Sequence, residues 1–244
     1  MQTSRNILLV FLFILGARIS NAQYIDFGTD PARLKWNSVK TDHYKVIYPR
    51  GNDSMAYRYA VLLENEVPHV AKTIGKPDFA AFRIPVVLHP NNMLSNGMVG
   101  WAPRRMEHIK TPASDIYHQN GDMQLSLHES RHVMQTGKLA KGVFKPLYYL
   151  IGEQSTGISA FGIPKWFFEG DAVVSETALS NSGRGRLPEF GIEFRTRLLN
   201  DEVVSFDKLF LGSYKNNTGS VYALGYFLTA YARHEFGADI WEKV

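Results

Sequence analysis

The sequence predicts an α+β protein: a small mixed β-sheet followed by a mainly helical half. Three observations point there. Short β-branched and aromatic runs, broken by Pro and Gly, occupy the chain up to about residue 112. Apolar residues at helical spacing take over afterwards. One of those helical stretches holds two histidines four residues apart, His128 and His132.

The first 22 residues read as an export signal. Arg5 supplies the positive start. Leu8 to Leu15 is an apolar run too short to span a bilayer comfortably, and Ser20-Asn21-Ala22 offers a small-residue cleavage site before Gln23. The mature chain is then 23–244, with a sheet-containing half over about 23–112 and a helical half over 113–244. It is expected in the periplasm, outside the cell or on its surface, with no membrane span; an uncleaved anchor is the alternative.

Within the first half, Tyr24 to Trp36 reads as irregular. Tyr44 to Tyr48 is a strand closed by the turn Pro49-Arg50-Gly51. Ser54 to Ile74 is a helix by the spacing of Tyr59, Leu62, Leu63, Val67 and Val70, with Pro68 expected to kink or shorten it. Ile84 to Leu88 is a second strand, which Pro85 places at a sheet edge or a strand start. Gly97 to Ile109 is a further strand or hairpin.

In the second half, Asp122 to Thr136 fits a helix stopped by Gly137. Lys138 to Phe161 is long and irregular. Pro164 starts a helix running from Lys165 to about Leu179, since proline suits a first helical turn. Asn181 to Pro188 is a polar, flexible loop. Phe190 to Leu199 and Val221 to Phe236 are two more helices, and Ile240 to Val244 begins another amphipathic element. That apolar ending predicts a natural protein that continues past residue 244.

Composition narrows the class. Apolar residues make up 45% and charged residues 20%, as in ordinary globular proteins. Lys and Arg number 27 against 23 acids, a net +4 with no basic run, which gives no sign of nucleic-acid binding. There is no cysteine, so neither a disulfide framework nor a lipid attachment site exists.

The chemistry sits in His128-Glu129-Ser130-Arg131-His132. Helical residues four apart share a face, so both imidazoles can reach one Zn²⁺ at roughly 2.0–2.1 Å. Glu129, turned about 100° from His128, stands at the edge of that face, where a carboxylate serves as base to an activated water. A catalytic zinc site needs a third protein ligand. Glu169, isolated among Trp166, Phe167, Phe168, Ala172, Val173 and Val174, is a charge that such surroundings tolerate only if it is paired or metal-bound. It therefore caps, salt-bridges or completes the ligand set. Gly170, next to it, permits close helix approach.

HExxH followed by W-x-x-E-G on an apolar helix resembles the gluzincin metallopeptidases, and more closely the peptidase-MA-like family of exported bacterial proteins. The resemblance covers about Arg83 to Phe236. It implies a zincin-like fold in which His128, His132 and Glu169 hold zinc and Glu129 is catalytic. It also implies a small sheet over the metal helix and a cleft along an edge strand, for which Gly97 to Trp101 is the candidate. An extended peptide would bind there by strand addition. Some relatives carry a β-propeller after this domain.

Three departures stand out. Ser130 and Arg131 replace the apolar or threonine residues usual at the motif centre, and Arg131 is expected to point away from the metal. His132 and Glu169 lie 37 positions apart, a long gap. Val173 stands where a second carboxylate is common, leaving Asp171 or Glu176 to orient a histidine.

An oxyanion donor is also expected, with Tyr222, Tyr226 and His234 as candidates. His43, His69, His89, His108 and His118 lack ligand spacing and read as surface or packing residues. Gly183-Arg184-Gly185-Arg186 is not a phosphate cradle, because no strand–turn–helix context surrounds it. The functional expectation is zinc-dependent peptide hydrolysis. The alternatives are a non-catalytic, zinc-stabilised envelope binding module and a metal-free structural domain.

Overall fold

Alternation with period two decides the sheet. In the computed structural model, residues 30–76, 83–92, 96–110, 120–139, 142, 145–202 and 204–243 are described. The expected export signal and His118 lie outside them. Strand β2 (Tyr44–Pro49) buries Tyr44, Val46 and Tyr48, and β3 (Ile84–His89) buries Ile84, Val86 and Leu88. With β1 (Trp36–Lys40), β4 (Asn96–Trp101) and β5 (Arg104–Ile109), they form a five-stranded mixed sheet of order β1-β2-β3-β5-β4. β2 pairs parallel with β3, and β3 with β5; the outer pairs are antiparallel.

Helix α1 (Asp53–Ala71) crosses over between β2 and β3 and covers the sheet's apolar face. Its buried residues Ala56, Tyr59, Ala60, Leu63, Val67, Val70 and Ala71 follow helical spacing. Pro68 neither shortens the helix before Ala71 nor faces the core. It stands on the solvent side, where the carbonyl it strands can bond water.

Helix α2 (Gly121–Leu139) packs on α1 and buries Leu127, Val133 and Met134 in the same core. It does not stop at Gly137, which is buried inside it; tertiary burial outweighs the glycine's weak helix propensity. The stretch expected to be irregular holds two short helices, α3 (Lys145–Ile151) and α4 (Gln154–Ala160), hinged at Gly152 with φ +65°. Helix α5 (Lys165–Ala178) follows directly after Pro164, and α6 (Ile192–Leu199), α7 (Phe206–Leu211), α8 (Val221–Phe236) and α9 (Ile240–Lys243) complete the helical half.

Two strand expectations resolve in physical terms. Pro85 is the second residue of β3, a central strand, so it marks the strand's start and not the sheet's edge. β1 was unforeseen, because its sequence WNSVK is half exposed along its length and carries no clean alternation. No helix among the described residues is long and apolar enough to cross a membrane.

Candidate metal centre

Two helix contacts build the site. α2 lies against α5, and α5 lies against α8. The second contact is made by glycines: a Cβ on Gly170 would fall 2.0 Å from the Gly225 carbonyl carbon, and one on Gly225 would fall 1.8 Å from the Trp166 oxygen. No side chain fits at either position, so the helix backbones touch there. Gly170 thus allows the close approach expected of it.

This packing brings His128, His132 and Glu169 together. The two Nε2 atoms are 3.2 Å apart, and Glu169 Oε2 lies 3.3 Å from that of His128 and 3.5 Å from that of His132. Three ligands of a tetrahedral ion bound at roughly 2.0–2.1 Å are spaced about 3.3–3.4 Å from one another. The three edges match that figure, and the residues' ligating atoms all lie within 4.8 Å of one another.

The far nitrogens explain how the rings are aimed. His128 Nδ1 lies 3.0 Å from Glu176 Oε2, and His132 Nδ1 lies 2.7 Å from Gln135 Oε1. A carboxylate only accepts hydrogen bonds, and so does an amide oxygen, so both Nδ1 atoms carry the proton. With both rings neutral, their Nε2 lone pairs point inward at a carboxylate oxygen. A positive species, whether a proton or a cation, is what such a triangle attracts.

The ionisation of these groups follows. Burial works against charge on His128, but hydrogen bonds to Glu169 and Glu176 outweigh it and raise its pKa to about 9. Burial would raise Glu169, yet His128 and His132 hold it far below the usual carboxylate range. Glu176 is buried too, and His128 and Arg184 together keep it low.

Of the two carboxylates considered for orienting a histidine, both serve. Glu176 holds His128 directly. Asp171 acts through Gln135, whose Nε2 donates to Asp171 Oδ2 at 2.9 Å while its oxygen holds His132. Asp171 also accepts from Arg131 at 2.6 and 3.1 Å and from Arg233 at 2.5 Å. Arg131 accordingly points away from the triangle, and it is wholly buried.

Glu129 is 3% exposed and lines a cleft of about 940 Å³. Its Oε2 has no hydrogen-bond partner among the described residues. Burial pushes its pKa up against the pull of both histidines. β4 flanks it, and a Cβ at Gly97 would meet Glu129 Oε1 at 2.5 Å, so only glycine leaves room for the carboxylate. β4 is the sheet's edge strand among the described residues, and Asn96 to Val99 and Trp101 wall the cleft, as expected of Gly97 to Trp101.

The three oxyanion candidates separate. Tyr222 lines the cleft with its ring 6.3 Å from that of His128. Burial, followed by the charge of Glu169, pushes its pKa up to about 12, so it is a hydroxyl donor at neutral pH. Tyr226 is not among the residues that line the cleft: one turn further along α8, it meets Phe190 edge-on and packs against Gly185. His234, near the far end of α8, is exposed beside Glu235 and is excluded as well. The other described histidines stay out of the centre. His43 pairs with Glu64, His89 lies between Asp30 and Glu107, and His108 is wholly buried with its ring edge-on to Tyr59.

Two residues went unread in the sequence. Gln135 lies one turn after His132, a spacing that does signal a shared helix face. Arg184 had no such signal. Its loop forms a 3₁₀ turn (Arg184–Arg186) tied to α5 through Thr177. Arg184 grips Glu176 with two bonds of 2.7 and 2.9 Å, and its guanidinium sits 5.3 Å from the centre of the Tyr222 ring. Its Nη2 also approaches His128 Nδ1 at 2.9 Å. A guanidinium only donates, so a proton on His128 Nδ1 has Glu176, not Arg184, as its acceptor.

Compared with known proteins, the chain matches no protein-family model, and no curated protein or solved structure gives a significant match.

Proposed function

We propose that the protein is a zinc-dependent peptidase, with His128, His132 and Glu169 as metal ligands and Glu129 as general base. The observation that carries this reading is the triangle of 3.2, 3.3 and 3.5 Å, whose imidazole protons are both turned outward. Two neutral imidazoles and one carboxylate form a typical catalytic zinc set. Bound zinc would supply Lewis acidity and bring the pKa of water down to about 7.

The chain's own residues account for the rest. Glu129, buried and unpartnered on one oxygen, takes a proton from the attacking water and returns it to the leaving amine. Its raised pKa suits both halves of that transfer. The Tyr222 hydroxyl donates to the oxygen that becomes negative. The free edge of β4 offers backbone groups to an extended polypeptide, which aligns a scissile bond beside Glu129.

The test combines metal analysis with a peptide-library digest of the wild type and of Glu129→Gln. About one zinc per chain is expected in both proteins, with hydrolysis lowered by roughly 10²–10⁴-fold in the variant. Stoichiometric zinc with no wild-type turnover would favour a binding module instead. Failure to retain any divalent metal would remove both readings.

A further inference from the structure

The hairpin α3–α4 is inside out. On α4 the buried residues are Ser155, Thr156 and Ser159, while Ile158 and Phe161 face outward, Phe161 at 96% exposure. α3 adds Tyr149 and Leu150, at 76% and 80%, and Ile151. A surface helix of a globular protein shows the opposite pattern.

The charges that bracket the hairpin are basic. Lys145 opens α3 and Lys165 opens α5, with Glu153 the one acid between them in the sequence. Glu153 is engaged within the protein, accepting the Arg104 backbone N–H at 2.8 Å. Lys145 and Lys165 are exposed on either side of the hairpin. In the sequence around the exposed Leu198, Leu199, Phe206 and Leu211, acids Asp201, Glu202 and Asp207 are interspersed with bases.

We infer that the hairpin docks the protein on an anionic phospholipid surface. Tyrosines with aliphatic neighbours and flanking lysines form the signature of an element lying in the interface: apolar side chains enter the headgroup boundary and ammonium groups meet lipid phosphates. Each helix is one short segment of about 10 Å, the depth of that boundary, so the contact is peripheral. The hairpin is also a wall of the cleft. Thr156 and Ala160 line it, and the Trp101 indole lies so close to Gly157 that a Cβ there would be 2.6 Å from its Nε1. Docking therefore sets the mouth of the cleft at the bilayer surface. The inference stands apart from the hydrolytic reading, since it uses none of the metal-site residues.

Flotation of the full chain with vesicles tests it. Binding is expected on vesicles of phosphatidylcholine and phosphatidylglycerol in equal parts, and at least about tenfold weaker binding on phosphatidylcholine alone. The double variant Leu150→Glu with Phe161→Glu should lower partitioning at least about tenfold further, with circular dichroism and zinc content unchanged. Lys145→Glu should weaken binding by a smaller factor on the anionic vesicles only. The inference is overturned if the wild type floats with neither vesicle, if it floats equally with both, or if the double variant floats like the wild type. It is also overturned if the double substitution turns a dimer into a monomer and leaves flotation unchanged, because the face would then seat a second copy.

Discussion

Two buried polar clusters meet on α5, two residues from each other, and they differ in kind. Around Asp171, a carboxylate faces donors, among them two guanidiniums. The carboxylate accepts from Arg131, Arg233 and Gln135, and Arg131 spends a further donor on the Val70 carbonyl at 2.7 Å. Around Glu169, two imidazole Nε2 atoms and a carboxylate face one another, and the neutral rings leave no hydrogen between them. Burial of charge is common to both clusters and identifies neither. What separates a structural ion pair from a ligand site is whether the donors and acceptors cancel.

The sharpest way to break this contrast is Asp171→Ala. It strands Arg131 in the core, and a loss of roughly 3–5 kcal/mol in unfolding free energy is expected from urea denaturation. A loss below about 1 kcal/mol would mean that the cluster contributes little to holding α2, α5 and α8 together. On the other side, Tyr222→Phe should leave stability and zinc content intact and lower peptide hydrolysis by roughly 10²-fold. An unchanged rate would take Tyr222 out of the mechanism. Glu176→Gln probes the link between the clusters' chemistry and their scaffolding. Zinc affinity, read by competition with a chromophoric chelator, is expected to drop roughly 10–100-fold with little change in stability.

Glu66 supplies the intermediate case. It is buried between α1 and α2, and among the described residues its donors are hydroxyls, Ser126 at 2.6 Å and Ser130 at 3.4 Å, with no cation. Burial raises its pKa to about 8, against the pull of those two hydroxyls. Because the folded value exceeds the unfolded one, the folded chain holds this proton more tightly. The stability it contributes is complete below about pH 4.5 and is lost as pH rises through about 8. Glu66→Gln should flatten that slope and raise stability at pH 9 by roughly 1–2 kcal/mol, measured as Tm against pH. Equal pH slopes in the two proteins would place the titration elsewhere.

The contrast also marks what sequence could reveal. His128, His132 and Glu129 share a short helical repeat, and Glu169 stood out as a lone charge in an apolar run, so pattern alone brought these four into view. Whereas the edge strand at Gly97 to Trp101 was implied only by the family resemblance, the close contact at Gly170 was legible in the same way. Arg184 was not, because a polar loop has no periodicity and its partner Glu176 becomes a neighbour only when the 3₁₀ turn folds back on α5. Choosing among Tyr222, Tyr226 and His234 likewise required the depth at which α8 crosses α5, a tertiary quantity. The polar interior of α4 was hidden for a related reason: Ser155, Thr156 and Ser159 read as surface residues until their neighbours are known.

The glycine contact between α5 and α8 has a consequence for how this molecule could change. Gly170 and Gly225 carry no functional group, yet they set the height of the phenol of Tyr222 above the histidines. A single methyl at either place would act as a shim and lift the roof of the pocket away from its floor. Under the proposed peptidase reading, reactivity could then be tuned through spacing alone, at two positions outside the ligand triangle.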